Sequence, residues 1–341
     1  MKLFDLYNKI FQDNLLWKYY SGMDDPGPLM FSDDYCIKFI NNYLASGLKI
    51  QLPNKLPTLR RIHTLSVYFL GLALFYYVFN GNKYPDNARK SFVYYWFLTC
   101  FYHDNGYVFE QNQVPLKIND DEFKKILKDI LTSLPDSLYL VKDTDVVMNY
   151  FENYRGKIDH GIAGAVKIFK ALEKNHNELL SRLKCSGSPH EISSCIFPGT
   201  NIRLNNTKFP YSAAIIAIHN IWLGKATDAE KYEENGIGSL VGKKYDFNED
   251  ALLFWVLQIA DTLEPIKKLP DILSTSEIYR LLQSIELDLS PYSISISYKE
   301  QICRFDYKSW LSNCAGMKDW TNIDVDDLSE NSITLAIPQA K

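Results

Sequence analysis

Apolar and polar positions recur along this chain mainly at the spacing of amphipathic α-helices. The first ~20 residues have this spacing, and Ser32 is a suitable N-cap for a second helix that runs to about Ala45. Residues 65–79 form a strongly apolar run of 15 residues. Because a membrane-spanning helix needs about 20 apolar residues, this run predicts a buried core helix.

Helix start and stop residues divide the centre of the chain into further helices. Prolines mark several boundaries, aspartates are suitable N-caps, and Gly106 is a suitable C-terminal stop. The predicted helices begin near Pro57, Asp86, Asp121, Asp143, Asp159, Pro210 and Asp250, and the last of them ends at Pro265. The Ser-, Gly-, Pro- and Asn-rich stretch 185–209 predicts a long loop, either a functional lid or a surface insertion.

The pattern changes after Leu269. A predicted helix over 276–284 is followed by strand-like alternation over 285–298, a short helix over 307–314 and a last strand over 332–337. The sequence therefore predicts a mainly α-helical protein with a small C-terminal α/β module. The predicted parts are an N-terminal helical segment (1–56), a helical domain (57–269) and the C-terminal module (270–341).

The composition sets few limits on function. The 341 residues carry a formal net charge of −4, which gives no general attraction to nucleic acid but is compatible with a local basic groove. The six cysteines are scattered and no signal-peptide pattern precedes them, so we expect reduced thiols in a cytoplasmic protein. Cys185, His190 and Cys195 lack the fourth ligand and the short spacing of a structural zinc site.

Four of the six histidines and two aspartates stand in strongly apolar surroundings. A buried imidazole or carboxylate is costly unless it is paired, hydrogen-bonded or coordinated. A single such histidine is usually a hydrogen-bonded core residue, but several in one chain are explained more economically by one shared partner. Imidazole and carboxylate groups together are ligands for transition metals. The candidate ligands are, in order, His63, His103, Asp104, His160, His219 and Asp261.

The order of these residues resembles that of the two-metal HD-domain metal-dependent phosphohydrolases. The resemblance spans about Arg60 to Pro265 and implies an HD-domain helical bundle. Its motifs are Arg-Arg-Ile-His63, Tyr-His103-Asp-Asn-Gly-Tyr, Asp-His160-Gly-Ile-Ala-Gly-Ala and Ile-Ala-Asp261-Thr-Leu-Glu-Pro.

The resemblance implies a role for each candidate ligand. Asp104 would bridge two divalent transition metals, with Fe or Mn favoured over Mg, Ni, Co or Zn. The other ligands would complete two sites, one from His63, His103 and Asp261 and one from His160 and His219. Water or hydroxide between the metals would be the nucleophile, so no protein nucleophile is required.

Residues near these motifs are candidates for substrate contacts. Arg60 and Lys157 each precede a ligand histidine by three residues, so on a helix each would lie near the ligand's face and could meet a phosphate. A solvated charge is the alternative for both, and it is the favoured interpretation for Lys157, which precedes the N-cap. Asn220 stands where some two-metal relatives have a second histidine. It is a candidate for weak metal ligation, for substrate contact or for packing alone. Tyr107 replaces the lysine of the cyclic-dinucleotide branch, which counts against that branch. Glu110 is a candidate proton shuttle or partner of a ligand.

The resemblance implies hydrolysis of a phosphoester bond in a small phosphorylated or nucleotide-like substrate. A di-iron oxygenase of the same superfamily, which uses the same ligands, is the first alternative. An HD-type nuclease in a CRISPR-like or antiviral system is the second, and the net charge gives it little support. A non-catalytic binding protein with a degenerate site is the third. No membrane partner is expected, and the sequence leaves the oligomeric state open.

Overall fold

The protein is mainly α-helical, with one small antiparallel sheet near its C-terminus. The computed structural model describes residues 1–13, 15, 31–32, 34–39, 57–107, 120–157, 159–170, 210–270, 274–299 and 305–339. The helices in these residues are α1 (Leu3–Gln12), α2 (34–39), α3 (Thr58–Ala73), α4 (Asp86–His103), α5 (Asp120–Leu131), α6 (Thr144–Asn149), α7 (160–170), α8 (Pro210–Ile218), α9 (Ala229–Glu234), α10 (Leu252–Leu263), α11 (Thr275–Ser284), α12 (Tyr307–Ala315) and α13 (Met317–Trp320). Two π-helical turns, Leu74–Val78 and Tyr150–Tyr154, extend α3 and α6.

The sheet contains β1 (Ile285–Ser290), β2 (Ser293–Tyr298), β3 (Asp324–Asp326) and β4 (Ser332–Ala336). Its strand order is β1-β2-β4-β3, and every neighbouring pair is antiparallel. The alternation over 285–298 is a hairpin in which buried apolar side chains alternate with exposed or partly exposed polar ones. The predicted mainly α fold with a small C-terminal module is confirmed. The three-residue β3 was not predicted, because a segment that short shows no alternation.

Contacts tie the C-terminal module to the rest of the protein. Met1 and Leu287 exchange two backbone hydrogen bonds of 2.8 Å, so the start of the chain pairs with β1. Trp310 Nε1 donates to the Leu263 carbonyl at 3.1 Å, which links α12 to the end of α10. The predicted division into three domains stays a prediction.

Helix α3 lies in the middle of the core. Its side chains from Leu65 to Ala73 are almost completely buried, and Trp96 Nε1 of α4 donates to the Tyr68 carbonyl at 2.9 Å. The stretch Thr58–Val78 is long and apolar enough to cross a membrane, yet 83% of its most apolar window is buried inside the protein. The prediction of a buried core helix is confirmed.

Side-chain caps fix several helix starts. Ser32 Oγ, Asp143 Oδ1 and Asp159 Oδ1 each accept a hydrogen bond from a backbone N–H two or three residues later, at 2.8 to 3.2 Å. The N-caps at Ser32 and Asp159 were predicted from the residue types and are confirmed. At Asp143 the predicted start of a helix is confirmed. The cap at Asp159 places His160 in the first turn of α7.

Glycines let three backbone segments meet around the candidate ligands. A Cβ on Gly106 would lie 1.8 Å from the His160 carbonyl oxygen, and one on Gly161 would lie 2.6 Å from the carbonyl oxygen of Ile216 and 3.0 Å from the His219 ring. The absence of a side chain at these two glycines therefore permits direct backbone contact. Helix α4 ends before Gly106 as predicted, but the φ of this glycine is not positive. Close packing, and not a left-handed turn, requires glycine at this position.

We expect Gly106→Ala to lower the free energy of unfolding by about 1–3 kcal/mol, because the added methyl group overpacks the contact with α7. The measurement is denaturant unfolding followed by circular dichroism. Gly316→Ala is the matched control, since a Cβ there meets its nearest atom at 3.2 Å with a φ of −62°. Equal stability of the two variants would contradict the close approach described here.

Candidate metal centre

His63 is held in one orientation by a buried glutamate. Its Nδ1 donates to Glu264 Oε2 at 2.6 Å, and both side chains are fully buried. Glu264 follows α10 and also accepts hydrogen bonds from the backbone N–H groups of Ile266 and Lys267, at 2.9 and 3.1 Å. The ring therefore turns its Nε2 toward the centre, where it lies 3.1 Å from Asp261 Oδ1.

His103 and His219 are oriented by carbonyl groups of their own helices. Nδ1 of His103 donates to the Cys100 carbonyl and Nδ1 of His219 donates to the Ile216 carbonyl, both at 2.6 Å. A donor role for Nδ1 leaves Nε2 of each neutral ring with a lone pair for a metal. Gln258 of α10 fixes the backbone at His219 by donating to its carbonyl at 2.7 Å.

Asp104 lies at the middle of the cluster, at the C-cap of α4. Its Oδ1 is 3.3 Å from His103 Nε2 and 3.6 Å from His160 Nε2. Its Oδ2 is 3.6 Å from His63 Nε2 and 3.4 Å from Arg60 Nη1. One carboxylate thus contacts three imidazoles that belong to three different helices.

The His160 ring is packed and hydrogen-bonded on the outer side of the cluster. Asn220 Nδ2 donates to Asp159 Oδ1 at 2.7 Å and lies 2.9 Å from His160 Nε2. The Tyr107 ring stacks on the His160 ring at 3.7 Å, and the Arg60 guanidinium lies 4.1 Å from the centroid of the same tyrosine. Arg60 and Tyr107 therefore form one packed unit with His160.

The six predicted ligands form two groups, in each of which the ligand atoms lie within 4.8 Å of one another. Donors bound at about 2.1 Å to one ion lie roughly 3 to 4 Å apart, so each group fits a single ion. The groups are His63, His103 and Asp261, and Asp104, His160 and His219.

Two buried nitrogen atoms test this fit independently. Nε2 of His63 and Nε2 of His103 are completely buried and make no hydrogen bond of good geometry among the described residues, although the oxygens Asp261 Oδ1 and Asp104 Oδ1 lie 3.1 and 3.3 Å away from them. An unsatisfied buried polar atom is costly, and coordination of a metal would remove the cost. The cluster therefore fits a metal ion better than it fits a purely hydrogen-bonded core.

The electrostatics keep most of the ligands in the form that binds a metal. Burial lowers the pKa of His103, and burial with the neighbouring histidines lowers the pKa of His219 to about 4. Burial alone would raise the pKa of Asp104, but the surrounding histidines hold it well below its ordinary value. Lys267, 2.9 Å from Asp261 Oδ2, and two histidines hold the pKa of Asp261 well below its ordinary value in the same way.

His63 is the exception. Burial opposes its protonation, but the carboxylates of Glu264 and Asp261 outweigh burial and raise its pKa to about 9. In the metal-free protein at neutral pH this ring is therefore protonated, and a metal must displace that proton.

Cys100 lies one helical turn before His103 but does not have the features of a ligand. Its Sγ donates to the Thr64 carbonyl at 3.4 Å, and burial raises the pKa of this thiol well above its ordinary value. Since the thiolate is the form that binds metals, the ligand set consists of nitrogen and oxygen atoms alone.

A cleft of about 270 Å³ opens from this cluster to the surface. Asp104, His160, His219 and Asp261 lie in its wall. Five basic side chains also line it, namely Arg60, Arg155, Lys157, Lys267 and Lys268. The chain has a net negative charge, so this positive potential is a local property of the cleft.

The structure places all three predicted substrate-contacting residues, Arg60, Lys157 and Asn220, in the wall of this cleft. Asn220 lies beside His160, as described above. The roles of these residues and of the six candidate ligands in binding stay predictions.

Several residues of the site were missed by sequence reasoning. Glu264 and Lys267 follow Asp261 within six residues, and that proximity was the one available signal. Arg155 and Trp222 carry no motif and are found only from the fold. Glu110, the possible zinc loop at 185–195 and the predicted loop 185–209 lie outside the described residues.

Comparison of the chain with protein-family models, with curated proteins and with solved structures gives no match. The structure establishes a buried cluster of histidines and aspartates that could hold metal. The resemblance to HD-domain proteins rests on the residues and their order.

We expect Mn²⁺ binding to the metal-free protein at pH 7 to release about one proton, which comes from His63. The affinity for Mn²⁺ should rise with pH and level off above about pH 9, since His63 is then already deprotonated. Calorimetry in buffers of different ionisation enthalpy measures the released protons. Glu264→Gln is the control, because loss of this carboxylate lowers the pKa of His63 and reduces the release. Binding without proton release at pH 7 would contradict this account.

Proposed function

We propose that this chain is a metal-dependent phosphohydrolase of the HD-domain type that acts on a nucleotide-like phosphoester. One observation carries the proposal, the convergence of two three-residue ligand groups on Asp104 at the base of a cleft lined by five basic side chains. Imidazole and carboxylate ligands suit iron and manganese, and the cations suit an anionic substrate.

The ligand groups have the composition expected for a two-metal site. His63, His103 and Asp261 would hold one ion, and His160 and His219 would hold the other, with Asp104 in contact with both groups. When bound, two such metals lower the pKa of water and neutralise charge on the attacking and leaving oxygens of a phosphoester. With the metals bound, water would attack phosphorus, the bond from phosphorus to the leaving oxygen would break, and the proton released by the water would pass to the leaving oxygen.

The protein's own groups would bind and orient the substrate. Arg60 already contacts Asp104 at 3.4 Å, so its guanidinium is placed to reach a phosphate oxygen beside the ligands. Lys267 neutralises the outer oxygen of Asp261, and its neighbour Lys268 lines the same wall. The described lining of the cleft contains no serine, threonine or cysteine. This composition agrees with water as the nucleophile.

The basic lining of the cleft favours a phosphohydrolase over the oxygenase and nuclease alternatives. A di-iron oxygenase would use the same ligands, but five cations around the opening favour a substrate with phosphate groups. A cleft of about 270 Å³ favours a small substrate over a long nucleic acid, which needs an extended positive groove.

We expect wild-type protein purified without chelator to contain about two equivalents of Fe or Mn and to hydrolyse phosphoesters with Mn²⁺ under anaerobic conditions. Asp104→Asn should lose the metal and reduce hydrolysis at least ~1000-fold, because the residue contacts both ligand groups. Elemental analysis and a phosphoester screen measure the two results. Asp129→Asn on the exposed face of α5 makes the same chemical change away from the cleft and should change neither.

Three outcomes would contradict the proposal. Retained turnover in Asp104→Asn would show that the reaction does not depend on the metal cluster. Turnover that requires oxygen, with a mixed-valent iron signal, would favour the oxygenase. Absence of metal after reconstitution would favour a binding protein.

A further inference from the structure

Trp222 is exposed at the cleft, although large aromatic side chains elsewhere in the described residues are mostly buried. The side chain is 54% exposed, and it lines the same cleft as the ligands Asp104 and His160. It stands two residues after Asn220, which contacts His160. An exposed indole lacks the stabilisation that burial would give, so its exposure is a cost to the folded protein. Beside a cleft, such an exposed ring is a favourable contact for a planar ligand.

The backbone of Trp222 is fixed on both sides of the indole. Its N–H donates to Tyr150 Oη at 3.1 Å, and its carbonyl accepts a hydrogen bond from Tyr232 Oη at 3.1 Å. Two residues later, Gly224 packs against the Tyr232 ring so closely that a Cβ would lie 2.4 Å from it. The indole is therefore exposed on a rigid support, and little conformational entropy is lost when a ligand stacks on it.

Two cations line the same cleft as Trp222. Arg155 and Lys157 flank Gly156, whose φ of +69° turns the chain sharply after the π-helical turn. The Lys157 N–H donates to the Phe151 carbonyl at 2.9 Å, which fixes this turn. Arg155, Lys157 and Trp222 all line the cleft that leads to Asp104.

We propose that Trp222, Arg155 and Lys157 form a subsite for the nucleobase end of a nucleotide, with the base stacked on the indole and phosphate oxygens paired with the two cations. The subsite rests on the proposed function for its connection to the metal cluster. Stacking on an exposed aromatic ring is tolerant of base identity, because every base has a π-face. The subsite therefore selects nucleotides over sugar phosphates and selects weakly among the bases.

The test compares AMP with ribose 5-phosphate, which carries the same phosphate and sugar without the base. Binding is measured by calorimetry on metal-free protein in EDTA, where metal-dependent hydrolysis does not occur. We expect AMP to bind about tenfold more tightly than ribose 5-phosphate. Trp222→Ala should abolish this difference, and Trp222→Phe should keep most of it. Tyr139→Ala, which removes another exposed ring outside the cleft, should leave it unchanged.

A second pair of variants tests the cations. Arg155→Gln and Lys157→Gln should each weaken AMP and ribose 5-phosphate by a similar factor of about 3 to 10, since both ligands carry the phosphate. Equal affinity of the wild type for the two ligands, an undiminished preference for AMP in Trp222→Ala, or no measurable binding of AMP would overturn the subsite. Failure of the proposed hydrolysis is read separately, from turnover of the metal-loaded enzyme, and leaves these binding results unaffected.

Discussion

The structure depends on one buried carboxylate. Asp104 is almost completely buried at the end of an apolar helix, and a charge in that position is strongly destabilising unless groups of opposite or complementary charge surround it. Three imidazoles and Arg60 supply those groups. They come from α3, α4 and α7, so the packing of these helices and the environment of Asp104 constrain each other. Gly106, which allows α7 to approach the turn after α4, is part of the same constraint.

The candidate ligand histidines differ in the group that accepts a hydrogen bond from Nδ1. His63 has a carboxylate at Nδ1, whereas His103 and His219 have carbonyl oxygens. A carboxylate makes an imidazole a stronger base than a carbonyl does, which explains why the pKa of His63 is raised while the pKa of the other two is lowered. The three rings therefore differ in proton affinity although they share one residue type. Of these three rings, His63 is the one from which a metal would have to displace a proton.

The sequence predicted more of the fold than of the cleft. An apolar run located α3, start and stop residues located α10, and residue types located the caps at Ser32 and Asp159, because these signals act over a few residues. The candidate ligands were located from the apolar sequence around each polar residue, which is also a local signal, and from the order of the six residues along the chain. The cleft lining was harder, because Arg155 and Trp222 lie far along the chain from Lys267 and meet it only after folding. Glu264 was visible in the motif, but its role required the 2.6 Å contact with His63.

The balance of charge in the cleft connects metal binding to substrate binding. Five cations against three aspartates leave the lining slightly positive when the histidines are neutral. Part of this positive charge is already engaged, since Lys267 pairs with Asp261 and Arg60 lies beside Asp104. Bound divalent metals would compete for the same two carboxylates and so free both cations for an anionic ligand. Arg155 forms no ion pair with either carboxylate among the described residues and can attract phosphate in either state. Arg60 and Lys267 would thus respond to the metal, while Arg155 would not.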